Sequence, residues 1–285
     1  MTRTASIAAP HPAAVEAARA AWAEGGNALD LAVAAATALA VVYPHQCSLG
    51  GDLVALVREP DGAVQAIVSC GAAPRRVDVD ALRAAGERMP SAGPHPVTVP
   101  GVLAGWEAVL DKGAALPLAA HVRRAATLAR DGSPVSSGLA WAIGYRADGI
   151  AADPGLREVF SPGGTPLSEG HPLLQPRLAD TLDAIADGGP AALYGGAIGA
   201  ALAAGLEQAG SAMRLDDLAA HAAELTEPLT ATALGATWHV APPPTQGATL
   251  LAMLAQIDAS ARAAAGAGAA ARLSLDRARA ASAAR

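Results

Sequence analysis

The sequence predicts a layered domain of mixed helix and sheet. β-type segments alternate with pairs of helical segments, one helical segment is apolar on nearly every face, and no period of about 20 to 50 residues marks a repeat architecture. The 285 residues are 52% hydrophobic, 16% charged and 3% aromatic, which excludes a disordered tail, a collagen-like repeat and a disulfide-stapled miniprotein. Alanine supplies about 77 of them, so the expected core is built from small side chains and close helix packing.

The first helix spans Ala13 to Glu24. Pro12 suits its first turn, Val15, Ala18 and Trp22 recur at helical spacing, and Gly25-Gly26 stop it. Asn27 caps a second helix in which Asp30 lies in the first turn, where the dipole favours an acid, and Leu31 to Val42 is apolar on nearly every face. That run is about 12 residues, short of the roughly 20 needed to cross a bilayer, and predicts a core helix between other layers. Leu53 to Val57 and Val64 to Ser69 read as strands joined by the turn Glu59-Pro60-Asp61-Gly62. Asp78 to Ser91 is a polar stretch, and Gly93 to Gly101 is predicted as an extended strand bracketed by breakers, with a helix through Trp106 to Asp111 after it.

Helical periodicity continues over Leu118 to Arg130, Leu178 to Asp187 and Ala197 to Gln208, while Asp148 to Pro176, rich in Gly and Pro, is predicted as a long surface excursion. Leu215 to Leu218 starts a helical turn, and Leu229 to Val240 is one or two strands ended by Pro242-Pro243-Pro244. A helix then runs from Thr245-Gln246-Gly247 to about Ile257. The expected division is a single region over 1–258 and an Ala/Gly/Arg-rich tail, helical or frayed, over 259–285.

The net charge is −6, and Lys112 is the sole lysine, so nineteen arginines carry the positive charge without forming a basic run. Nucleic acid is excluded as a partner on that ground, and no segment predicts membrane association. Cys47 and Cys70 have no CxxC spacing, which fits a reducing compartment and argues against a zinc site. Met1 to Ile7 precedes His11-Pro12 without an apolar signal segment, so a cytoplasmic location is expected. Neither a metal nor a cofactor is called for.

Self-contained catalytic signatures fail: there is no G-x-S-x-G, no H-E-x-x-H and no phosphate loop ending in Gly-Lys-Ser/Thr. His45-Gln46-Cys47-Ser48 is the one local cluster that suggests a thiol nucleophile, against the simpler reading of a small buried cysteine in a glycine-bounded turn. His11 and His45, beside prolines near helix ends, are expected to cap or to bond within the core rather than to catalyse. Gly50 and Gly51 are expected to form a tight turn before a strand.

Four separated segments nevertheless occur together and in order. They are Ala9-Pro10-His11-Pro12 with Glu24-Gly25-Gly26-Asn27-Ala28-Leu29-Asp30, Pro44-His45 to Leu49-Gly50-Gly51-Asp52, Val97-Thr98-Val99-Pro100-Gly101 with Gly105-Trp106, and Pro242 to Gly247. With Asp131 to Ser136, Gly188 to Tyr194 and Leu215 to Leu218 between them, the chain resembles the γ-glutamyltranspeptidase family over about residues 5 to 260. The resemblance implies an α+β, four-layer αββα N-terminal nucleophile hydrolase that cuts itself into a large and a small subunit. This chain would correspond to the large-subunit part of that sandwich. No catalytic residue is then expected on it: the nucleophile would be a threonine at the start of a separate small subunit, attacking the amide of a small-molecule substrate and passing the acyl group to water or an amine.

The family's large subunit normally gives one substrate residue, an arginine that grips the substrate carboxylate with a planar donor fork. Here the place reads Ser69-Cys70-Gly71-Ala72-Ala73-Pro74. Against the family's Gly-Arg-Glu-x-Ala-Pro pattern the arginine becomes Cys70, and against its Gly-Ser-Gly-Arg-Ala-Pro variant it becomes Ala72. Arg75 and Arg76 follow at once and are the candidate substrate-binding residues. Three readings remain at this level: the half of an amide-cleaving enzyme paired with a small subunit, a catalytically inactive chain with the family fold, and an independent hydrolase using Cys47 with His45.

Overall fold

A computed structural model of the chain describes residues 4–257. The elements in order are α1 (Pro12–Ala23), α2 (Ala28–Val42), β1 (Leu53–Arg58), β2 (Val64–Ser69), α3 (Val79–Ala85), α4 (Val102–Leu110), α5 (Leu118–Asp131), β3 (Ser133–Pro134), α6 (Ser137–Tyr145), α7 (Ala147–Ala152) and α8 (Pro154–Phe160). A 3-10 turn (Pro162–Gly164) follows, then β4 (Pro172–Leu173), α9 (Pro176–Gly188), α10 (Ala191–Tyr194), α11 (Ala197–Gln208), α12 (Leu215–Ala219), β5 (Glu224–Thr226), β6 (Leu229–Ala233), β7 (Ala236–Val240) and α13 (Gly247–Gln256). Among the described residues no helix is long and apolar enough to cross a membrane.

The chain divides into two compact units. The first holds 4–52 and 71–222, the second 53–70 and 223–257. In the first unit α1 and α2 pack through alanines: Ala14, Ala18 and Ala21 meet Leu31, Ala34 and Ala38, all buried, with Trp22 and Leu39 at the margin. The pair is held at its turn. Asn27 accepts from the Leu29 N–H at 2.9 Å while Asp30 accepts from the Asn27 N–H at 2.7 Å, a reciprocal cap that satisfies two orphan donors. His11 likewise caps α1, its Nδ1 accepting from Ala13 N–H at 3.2 Å.

The second unit carries two small sheets. β1, β2 and β5 form an antiparallel three-stranded sheet with β1 and β5 at its edges, in the register Leu53↔Ser69 and Ala66↔Thr226. β1 leaves Val54 and Leu56 exposed, and β5 leaves Leu225 exposed. The β1–β2 turn closes as the sequence predicts, with Gly62 in the left-handed region at φ +93° and Asp61 accepting from Ala63 N–H. β6 and β7 form a hairpin whose two turn residues, Leu234 and Gly235, both have positive φ, the conformation of a two-residue hairpin loop.

Three expectations are corrected. Asp148 to Pro176 is no bare excursion, because it contributes α7, α8 and β4, and its Ile150 and Leu173 are buried with Val135, Leu139 and Ile143. The polar stretch from Asp78 contains α3, capped by the Asp78 carboxylate on Ala81 N–H at 2.9 Å. Gly93 to Gly101 is not a strand: Pro94, Pro96 and Pro100 have no N–H to give a ladder, and only isolated backbone bonds tie it to neighbouring chain, Val99 N–H to the Ala72 carbonyl at 3.0 Å and Gly101 N–H to the Gly51 carbonyl at 2.9 Å. The expected tail over 259–285 lies outside the described residues.

Candidate functional site

The segment that follows β2, Gly71 to Arg76, is fixed at three points within the first unit. Asp52, the last residue of the double-glycine turn, accepts from the Gly71 N–H at 2.9 Å. The Ala72 carbonyl accepts from Val99 N–H. Asp217, buried at the start of α12, accepts from the Arg75 N–H at 3.1 Å with one oxygen and from the Arg214 N–H at 2.9 Å with the other. Carboxylates accepting from backbone donors in this way form charge-assisted bonds and fix the path of the chain.

Gly71 is required by contact. A Cβ there would lie 1.5 Å from the Val99 carbonyl oxygen, so no side chain fits without moving that strand of backbone. The turn before it is equally bound. Gly51 accepts from both Gly101 and Val102 N–H, at 2.9 and 2.8 Å, which fastens the glycine pair to the first turn of α4. The Tyr194 hydroxyl completes this support, donating to the Pro100 carbonyl at 2.9 Å and accepting from Ala104 N–H at 3.1 Å. Burial, with the Glu107 charge adding to it and the Ala104 bond opposing, pushes the Tyr194 phenol up to about 12, so it stays a donor across the physiological range.

Arg75 and Arg76 are both exposed. Arg76 lines a cleft of about 410 Å³ beside α3 together with Arg88, His95 and Arg214. Arg214 is committed there to the Ser211 and Met213 carbonyls and to Glu207 at 2.9 Å. The cleft therefore presents Arg76, Arg88 and His95 as its exposed basic groups.

The thiol alternative finds no support. No hydrogen bond joins His45 to Cys47, burial pushes the Cys47 thiol up, and burial pushes the His45 imidazole down, both opposite to a thiolate–imidazolium pair. His45 packs its ring on Tyr43 at 4.2 Å between centroids, and its Nδ1 is buried without a partner. His11 caps, as the sequence suggests.

One buried polar group exceeds its expected role. Asp30, beyond capping α2, accepts from Ala115 and Leu116 N–H and meets His121 Nε2 at 3.2 Å, with both Asp30 and His121 out of solvent. Burial works against its charge, but the backbone donors and His121 outweigh it and hold its carboxyl below the usual range. His121 is driven the other way, downward, chiefly by burial. This network supports the scaffold. Among the described residues no group of three His, Cys, Asp or Glu stands close enough to hold a metal ion.

A double-glycine turn locked to the start of a helix, followed by a carboxylate-tethered segment after a hairpin strand, is the local architecture of the motifs that matched in order. The profile described as Gamma-glutamyltranspeptidase matches residues 14–285. The chain belongs to the γ-glutamyltranspeptidase family. This family member is 38% identical over 258 residues to the oxamate amidohydrolase proenzyme of Klebsiella pneumoniae subsp. pneumoniae, covering 88% of this chain and 48% of that one. It is 33% identical to the glutathione hydrolase-like YwrD proenzyme of Bacillus subtilis, covering 87% and 47%. The chain thus spans about half the length of the curated relatives it matches. Among solved structures, Helicobacter pylori γ-glutamyltranspeptidase superposes with a TM-score of 0.89 at 26% identity, over 99% of this chain and 83% of that one. Bacillus anthracis CapD superposes with a TM-score of 0.81 at 26% identity, over 98% and 91%. The α+β fold is accordingly that of the N-terminal nucleophile hydrolases, of which this γ-glutamyltranspeptidase-family chain represents part.

Proposed function

We propose that residues 1–258 form the large-subunit part of a γ-glutamyltranspeptidase-family amidohydrolase that cleaves small carboxylate-bearing amides in the cytoplasm. The acyl-enzyme would form on a threonine at the start of a small subunit, which is the partner of this reading. The observation that carries it is the Gly71 segment. Since position 71 cannot carry a side chain, the segment conforms to the Gly-Ser-Gly-Arg-Ala-Pro pattern, and the arginine's place falls at Ala72. An Ala72 methyl offers no fork to a γ-glutamyl carboxylate. Arg75, whose backbone N–H Asp217 holds, and Arg76 are the nearest cations in sequence and take over anion binding in this reading. The 38% identity to an oxamate amidohydrolase supports a substrate smaller than glutathione. The exposed edge strand β1 supports a partner that completes the sheet.

The test is intact-mass analysis of the native complex followed by assay of oxamate and a γ-glutamyl anilide. A co-purifying polypeptide beginning with threonine, with oxamate preferred, is the expected result. Arg76→Gln should raise KM for the carboxylate substrate about five- to tenfold with kcat less affected, the size of one solvent-exposed hydrogen bond. Ala72→Arg should bring in γ-glutamyl cleavage. A lone chain without amidase activity would leave the second reading, a catalytically inactive chain with the family fold, which the loss of the arginine favours.

A further inference from the structure

The first unit contains a second cleft, of about 370 Å³, that shares no residue with the Gly71 to Arg76 segment. Its rim is built on α6. Trp141 and Tyr145 stand four residues apart, so their rings fall on one face, and they stack with centroids 5.1 Å apart and planes 9° from parallel. Both are 68% exposed. The Arg146 guanidinium stands 5.4 Å from the Tyr145 ring centre. Ile143, Ile150 and Phe160 supply apolar wall, and His45, with its unpartnered Nδ1, lies on the other side.

Composition makes this placement unusual. The whole chain has four Trp, three Tyr and one Phe, and three of those eight residues line this one cleft. A core short of large side chains gains most by burying its aromatics, yet two are left in solvent as a preformed flat shelf. Arg146 makes no ion pair among the described residues, and no Asp or Glu lines the cleft, in a chain whose net charge is −6. A flat apolar shelf, a single cation at its edge and a volume within the range of small-molecule sites are complementary to a planar anion.

We propose that this cleft binds a small aromatic carboxylate, its ring laid on the Trp141–Tyr145 shelf and its carboxylate at Arg146. This site is separate from the amide-cleaving reading and stands without it. The experiment titrates the purified protein, in whatever complex it is isolated, with 2-naphthoate and with its neutral isostere naphthalene-2-carboxamide, read by calorimetry and by quenching of tryptophan fluorescence. The expected result on the unaltered protein is saturable binding of 2-naphthoate about five- to tenfold tighter than the carboxamide, the increment of one solvent-exposed contact. Arg146→Gln should reduce naphthoate to the carboxamide level and leave the carboxamide unchanged, whereas Trp141→Ala should weaken both. Circular dichroism checks that these variants, at exposed positions, keep their fold. Absence of saturable binding, equal affinity for the two probes, or indifference to Arg146→Gln would overturn the proposal. So would a sedimentation coefficient that drops on Trp141→Ala, since the shelf would then be covered by a second copy of this chain.

Discussion

Replacing Asp30 by Asn tests the central claim about the scaffold, that one buried carboxylate ties the start of α2 to the chain entering α5. One carboxylate oxygen serves Asn27 and Ala115 N–H at 2.7 and 2.9 Å, the other Leu116 N–H and His121 at 2.9 and 3.2 Å. The isosteric amide can keep one pair. Its NH2 must then face the other, where His121 can turn acceptor by changing tautomer but a backbone N–H cannot. The cost is one orphaned buried donor, about 1–3 kcal/mol, plus the weakening of the remaining bonds once the charge is gone, for a total of about 3–5 kcal/mol. At about 2–4 °C per kcal/mol for a chain of this size, the melting temperature should fall by roughly 6–20 °C. Thermal melts across pH add a second signature. The carboxyl lies below its usual range in the fold, so its stabilisation is complete above about pH 4 and is lost as pH falls through the depressed value. Asp30→Asn should lack that part of the acid limb. A variant melting within about 2 °C of the parent, or one with an unchanged acid limb, would refute the argument.

Burial holds His121, His11 and His45 below the usual imidazole range, so their contribution to stability is whole above about pH 6.5 and declines as pH falls beneath it. Melting temperature should therefore drop between pH 7.5 and 5.5, and His121→Gln should flatten that slope, measured by calorimetry. Gly71→Ala should displace Val99 and abolish function of the assembled protein, which hydrogen exchange at the Val99 amide reports directly. Tyr194→Phe removes a donor from the Pro100 carbonyl and an acceptor from Ala104, and should cost about 1–3 kcal/mol in a denaturant titration. By contrast Arg123→Gln breaks an exposed 2.7 Å pair with Asp187, and should change stability by less than about 1 kcal/mol.

Much of this architecture was readable because the deciding signals are local. The Asn27 cap, the all-apolar face of α2 and the Asp61-Gly62 turn act within a few residues of themselves, and the helices over Leu118 to Arg130 and Ala197 to Gln208 are found where periodicity puts them. What escaped depends on partners far along the chain. Asp30 meets Leu116 and His121, Asp52 meets Gly71, and Asp217 meets Arg75 only after folding, across 86, 91, 19 and 142 positions. Nothing in the pattern around Asp217 distinguishes it from its neighbour Asp216. Gly71 carries no φ signature either, and its necessity comes entirely from the carbonyl of Val99. Asp148 to Pro176 misled because Gly and Pro dominate its composition, while its helices are short enough to fit between them.

The alanine interface of α1 and α2 has a genetic consequence. One base change turns an alanine codon into one for Gly, Ser, Thr, Pro, Val, Asp or Glu. At Ala14, Ala18, Ala21, Ala34 and Ala38, all buried between the two helices, Val and Thr overfill the interface at about 1–3 kcal/mol, Pro breaks the helix, and Asp or Glu buries a charge. Gly leaves the volume free but costs about 1 kcal/mol of helix propensity. Serine is tolerated only where its hydroxyl bonds the carbonyl one helical turn back. This helix pair should thus hold far less neutral variation than a leucine core of equal depth, and libraries built to diversify the protein will lose most of their folded members there first.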